Sequence, residues 1–187
     1  ITDELQVREM VAKAEQAFGK IDILVSNYAA GIPRKSFEET AWSEWQEQID
    51  TTLKAAFLCS QAVLAGMKAR RWGRIISINT IGIHQPGRHY HGYTAAKTAM
   101  LGFTRNLAVE VGQHNITVNI VSPGLTLTEE VSAMLSPEAR EKHAKQVPLR
   151  RAGTVEDTAN AALFFASDLS SFITGEYLLV CGGQVME

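Results

Sequence analysis

Four short apolar runs separated by long stretches of helical periodicity constrain this chain more than any other feature. The runs are Ile21-Asp22-Ile23-Leu24-Val25, Gly73-Arg74-Ile75-Ile76-Ser77-Ile78, Asn115-Ile116-Thr117-Val118-Asn119-Ile120-Val121 and Glu176-Tyr177-Leu178-Leu179-Val180-Cys181. Their length and their β-branched content predict strands. Strands that alternate with helices are joined by crossovers, which set them parallel and cover both faces of the sheet. The expected fold class is therefore α/β, a doubly wound parallel sheet with helices on both faces. Crossovers of one hand bring the carboxyl ends of the strands together, where such sheets bind ligands.

The helices follow from the spacing of apolar residues. Residues 3–18 predict an amphipathic helix with Thr2 or Asp3 as N-cap and Leu5, Met10, Val11 and Ala14 toward the sheet. From Trp42 to Met67, the set Trp45, Ile49, Leu53, Ala56, Phe57, Val63, Leu64 and Met67 recurs at three and four, which predicts one long buried helix. From Tyr93 to Val111, apolar residues occupy more than one face, so a partner subunit is expected to cover the second. Glu129 to Lys145 is more polar, is broken at Ser136-Pro137 and reads as a surface flap. Thr154-Val155-Glu156-Asp157 has the capping-box spacing and opens a last helix.

Composition excludes several classes of function. A chain of 187 residues suits one domain, and a net charge of -2 gives no reason to expect nucleic acid or an anionic membrane as partner. No apolar run reaches the ~18–20 residues of a membrane span. A cytoplasmic protein is expected, with Cys59 and Cys181 as buried free thiols. Lys68-Ala69-Arg70-Arg71 sits at a helix end, where cations complement the dipole; docking of an acidic carrier protein there is the alternative. His84, His89 and His91 share one loop, but no cysteine or carboxylate set completes a zinc geometry, so no metal is expected.

The chemistry centres on Tyr93 and Lys97. At this spacing on a helix a phenol and an ammonium share a face. A free tyrosine titrates near pKa ~10, and a cation within about 4–6 Å favours its phenolate. A phenol tuned this way passes protons near neutral pH.

In order and spacing these pieces resemble the short-chain dehydrogenase/reductases, especially those related to 3-oxoacyl-carrier-protein reductases. The resemblance runs from the first residue to about Gly183. It rests on Ser26-Asn27-Tyr28-Ala29 after a strand, the Gly73–Thr80 strand, Tyr93-x-x-x-Lys97 and Asn119-x-x-x-Pro123-Gly124 with Thr128 beyond. Arg150-Arg151-Ala152-Gly153, Glu156-Asp157, Ile173-Thr174-Gly175 and Gly182-Gly183 complete it. The resemblance implies a Rossmann-type domain over residues 1–187 and an oxidoreductase interconverting a ketone and a secondary alcohol. NAD or NADP would be its cofactor and a homotetramer its assembly. By the same resemblance Tyr93 is the acid/base, Lys97 tunes it and holds the nicotinamide ribose, and Thr80 stands where the family has a serine on the substrate oxygen. Asn27, Tyr28, Ala29, Pro123, Gly124, Thr126 and Thr128 would border the cofactor. Thr80, His84, Tyr93, Gly124 and Met134 would border a small carbonyl or alcohol substrate.

Three departures bear on that expectation. Thr80 keeps a hydroxyl but adds a methyl group and a stiffer χ1. Thr52 occupies the place of the family's asparagine, which anchors a water on the proton path toward the lysine; one short hydroxyl in place of an amide implies slower proton replenishment. Tyr28 is bulky where the family runs small residues past the cofactor, and either stacks on adenine or fills a gap. The chain also opens on what the resemblance makes the third helix of the domain. In related chains roughly 60 residues with the glycine-rich phosphate turn precede this point, so an N-terminally truncated domain that binds dinucleotide weakly is expected. The altered positions leave a non-catalytic scaffold or regulatory protein of the same fold as the alternative function.

Overall fold

The computed structural model describes residues 1–28 and 30–187. The chain begins with α1, Glu4–Phe18, capped by Asp3, whose carboxylate accepts the Gln6 N–H at 2.9 Å. Its buried stripe is Val7 and Val11, whereas Leu5 and Met10 are exposed, which corrects the expected face. The two valines lie one turn apart and pack on the helix that follows β1, so a stripe two residues wide is all that this peripheral helix buries.

After β1, Ile23–Ser26, the predicted single helix proves to be two: α2, Trp42–Ile49, and α3, Ala55–Arg70, joined by a π-helical turn at Asp50–Lys54. The turn inserts a residue into the helical repeat and rotates α2 relative to α3. Trp42 is exposed, its ring stacked on Trp45 at 5.3 Å. The basic run at the end of α3 is engaged in the fold: Arg70 donates to the Ile21 carbonyl at 2.6 Å and pairs with Asp22, and Arg71 donates to the Gln113 carbonyl at 3.1 Å.

The remaining elements are β2, Gly73–Ile78; α4, His91–Val111; β3, Ile116–Pro123; α5, Glu129–Met134; α6, Pro137–Gln146; α7, Val155–Ala166; and β4, Tyr177–Val180. Ser136 caps α6 with Pro137 in its first turn, which is where the polar helix was expected to break. Thr154 and Asp157 form the reciprocal cap of α7. The four strands are parallel in the order β1-β2-β3-β4.

Strand alternation sorts the core onto two faces. Ile75, Ile116 and Val118 point toward Val63 and Met67 of α3 and Ala108 and Val111 of α4. Ile76 and Val121 point the other way, toward Phe165 of α7. Arg74 is 1% exposed and is accommodated because its guanidinium lies 4.3 Å from the Trp72 ring and 3.1 Å from Asp168. Both cysteines are buried and free, and among the described residues no helix is long and apolar enough to cross a membrane.

Beyond β4 the chain turns through Gly182, which adopts φ +61 and would place a Cβ 2.7 Å from Val147 Cγ1. Gly182→Ala therefore combines a left-handed backbone with overpacking. The expected loss is about 2–4 kcal/mol, read as a melting temperature lower by roughly 5–10 °C. A melting curve that overlays that of the parent would refute this account of the turn.

Candidate active site

Tyr93 and Lys97 lie one turn apart near the start of α4, beside the carboxyl end of β2. Lys97 is only 5% exposed, and its ammonium donates to the Ile78 carbonyl at 2.7 Å. Desolvation lowers its pKa to about 8. Its Nζ lies 5.8 Å from the centre of the Tyr93 ring. Burial pushes the Tyr93 phenol above its ordinary range, with the nearby Thr80 side chain pulling the other way. That direction is opposite to the one expected from spacing alone. The ammonium is spent on the Ile78 carbonyl and sits over the ring, so desolvation decides the sign.

Thr80 follows β2 and caps the short turn Ile81–Ile83, its Oγ1 accepting the Gly82 N–H at 3.0 Å. Its own N–H donates to Asn79 Oδ1 at 2.8 Å, while Asn79 Nδ2 donates to the Lys97 carbonyl at 2.9 Å. One buried amide therefore ties the backbone of Thr80 to that of Lys97 and holds the two functional residues in register. Asn79 was missed in the sequence reading. The available signal was an amide at the end of a continuous apolar strand, where a buried polar group must find partners. Tyr177, equally unsuspected, reaches the Thr80 carbonyl from β4 at 2.6 Å.

Thr52 is buried within the π-helical turn, which packs against α4. Among the described residues no hydrogen bond joins it to Tyr93 or Lys97. Gln48, one turn earlier, is buried as well and donates to the Gly31 carbonyl at 3.0 Å. Gly92 lets α2 approach here, since a Cβ would stand 3.1 Å from the Trp45 ring.

The residues expected at the cofactor divide. Asn27, Pro123, Thr126 and Thr128 converge on one cleft of about 450 Å³ with Val25 and Ile78, walled on the far side by α7. The loop after β3 is pinned there by Leu127 N–H to the Gly153 carbonyl at 2.9 Å. Gly124 does not line this cleft, and a Cβ there would lie 3.1 Å from Cys181 Cβ. Tyr28 is 59% exposed, so it fills no gap in the core. Ala29 lies outside the described residues. Met134 is exposed on α5 and lines no part of the cleft. His84 sets its ring edge-on to Tyr177 and its Nδ1 3.1 Å from Glu187. His89 and His91 turn to the Lys35 carbonyl and the Thr40 hydroxyl, so the three imidazoles point at three different partners.

With this geometry in view, comparison with known proteins is decisive. The family model described as enoyl-(acyl carrier protein) reductase matches residues 1–184. The 3-oxoacyl-(acyl-carrier-protein) reductase FabG of Escherichia coli is 39% identical over 187 residues, covering 100% of this chain and 75% of that protein. The chain is a short-chain dehydrogenase/reductase. A 3alpha-hydroxysteroid dehydrogenase of Mediterraneibacter gnavus is 42% identical over 186 residues, covering 97% of this chain and 72% of its own. Among solved structures, a gluconate 5-dehydrogenase from Burkholderia cenocepacia in complex with NADP and tartrate superposes with a TM-score of 0.89 at 29% identity, covering 98% of this chain and 72% of that one. ElxO with NADP bound gives the same TM-score, identity and coverage of this chain, and 75% of its own. As a short-chain dehydrogenase/reductase the protein is an oxidoreductase that interconverts ketones and secondary alcohols.

Proposed function

We propose that residues 1–187 act as one Rossmann-like domain in NAD(P)(H)-dependent reduction of a small ketone, or oxidation of the corresponding secondary alcohol, with Tyr93 as the acid/base. The observation that carries this reading is the buried Lys97 ammonium, held by the Ile78 carbonyl, one turn from the half-buried Tyr93 phenol. Burying a charge costs stability, and a fold kept only as a scaffold has no use for that cost.

The cleft suits a nicotinamide cofactor. Val25, Ile78 and Pro123 offer apolar walls to a flat ring, and Asn27, Thr126 and Thr128 supply short polar side chains for an amide and hydroxyls. Lys97 uses one of its three donors on Ile78, which leaves two for ribose hydroxyls. When bound, the cofactor supplies or accepts the hydride. Tyr93, protonated at neutral pH, gives its proton to the carbonyl oxygen in reduction and takes it back in oxidation. Lys97 stabilises the phenolate formed in between. Thr80 donates to the substrate oxygen as negative charge develops on it. Thr52 lets water return the proton more slowly than an amide would. His84 and Gly124 flank the substrate, and Met134 joins them as the α5–α6 flap closes.

The same reading includes a homotetramer in the cytoplasm. Phe57 and Leu64 of α3 and Phe103 and Leu107 of α4 line an open groove of about 550 Å³ that a second subunit would cover. Two free thiols suit a reducing compartment.

The direct test is oxidation of NADH or NADPH in the presence of a small diketone. Thr80→Ser is expected to retain turnover within about threefold and Thr80→Ala to lower kcat by about 10²-fold, the worth of one donor to a developing oxyanion. Unchanged kcat in Thr80→Ala would remove Thr80 from the mechanism.

A further inference from the structure

Tyr177 opens β4 and is 6% exposed, yet it carries a hydroxyl among the aliphatic neighbours Leu178, Leu179 and Val180. Closing a parallel sheet does not need that oxygen. It lies 2.6 Å from the Thr80 carbonyl and 2.5 Å from Ser122 Oγ, and Ser122 is itself fully buried near the end of β3. A carbonyl only accepts and a phenol has one proton, so Tyr177 donates to Thr80 while Ser122 donates to Tyr177. Burial pushes the Tyr177 phenol up to about 12, so the donor keeps its proton through the neutral range.

Thr80 is thus held at every polar atom. Asn79 takes its amide, Gly82 engages its hydroxyl, and its carbonyl is held from a strand two places away. We propose that Tyr177 is a positioning residue for the reaction, fixing the Thr80 peptide so that the threonine hydroxyl stays aimed at Tyr93 and the substrate oxygen. This rests on the roles proposed for Tyr93 and Thr80. A threonine side chain is stiff at χ1, so a tilt of its peptide carries the hydroxyl along, and a misplacement of about 1 Å costs up to roughly 10²-fold in rate.

The test is Tyr177→Phe, which removes one oxygen and keeps the ring, measured in the parent and in Thr80→Ala. In the parent, kcat is expected to fall about tenfold with KM unchanged within about twofold, since only the transition state uses the aimed hydroxyl. In Thr80→Ala the same substitution is expected to leave the residual kcat unchanged, because the group it aims is gone. Amide exchange across Ile81–Ile83, followed without cofactor or substrate, is expected to quicken in Tyr177→Phe. A parent-like kcat in Tyr177→Phe, or an equal loss in both backgrounds, overturns the proposal. Should Tyr177→Phe not fold, Ser122→Ala goes through the same cycle, with a smaller loss that vanishes in Thr80→Ala supporting the proposal and an equal loss overturning it. If instead Tyr93→Phe leaves turnover intact, the acid/base reading fails and the positioning role falls with it, a failure distinct from that of the proposal alone, in which Tyr93→Phe abolishes turnover and Tyr177→Phe does not lower it.

Discussion

Tyr93→Phe is expected to lower kcat by about 10³-fold or more, the scale of a lost general acid, while the protein stays folded. The ring is half-buried and remains, and Thr80 keeps its bond to Gly82. The pH dependence follows from the direction of the Tyr93 shift. Because the phenol titrates above its ordinary value of ~10, the protonated acid is available throughout the neutral range, and carbonyl reduction is expected to hold level there and to fall above about pH 8, where Lys97 gives up its charge. Alcohol oxidation needs the phenolate and is expected to rise with pH over the same range. Steady-state rates in both directions across pH, for the parent and for Tyr93→Phe, check this. A variant within tenfold of the parent in either direction would end Tyr93's candidacy as the acid/base.

Lys97→Met is expected to separate activity from stability. The folded-state pKa of about 8 lies below the ordinary 10.5, so the unfolded chain binds the proton more tightly. Between those values the unfolded state holds more protons, and stability rises with pH from about 8 to 10.5. Below pH 8 the buried ammonium costs the fold roughly 3 kcal/mol, against which the lost donor to the Ile78 carbonyl is worth about 1–2 kcal/mol. The variant should therefore be more stable at pH 7 by about 1–2 kcal/mol and lose its alkaline rise in stability, while kcat falls by about 10²–10⁴-fold. Urea unfolding at pH 7 and pH 10, beside turnover, measures both. A variant that is less stable at pH 7 and unfolds with the same pH dependence would show that Lys97 is held without strain.

What could be read from residue order was local, and what could not was set by contacts between distant segments. The four strands, the Thr154 cap and the break at Ser136-Pro137 follow from short-range patterns, and each stands where it was expected. The face of α1 did not follow, because periodicity marks a helix as amphipathic without saying which neighbour takes the stripe; Val7 and Val11 took it from Leu5 and Met10. At the site, Tyr93 and Lys97 were legible from their spacing on one helix. Asn79 and Tyr177 were not, since their partners lie 18 and 97 residues away. The sign of the Tyr93 shift needed the depth at which the pair is buried, which spacing does not encode.

The π-helical turn between α2 and α3 has a consequence for how this chain tolerates changes of length. One surplus residue absorbed there leaves α3 in phase with the sheet and turns α2 by about 100° about its axis. The buried Gln48 and the Trp45 that meets Gly92 owe their direction to that offset. Deleting one residue from Asp50–Lys54 would restore an unbroken helix and swing both side chains off α4, so the irregularity is a phase setting, and the smoothest helix would be the wrong one.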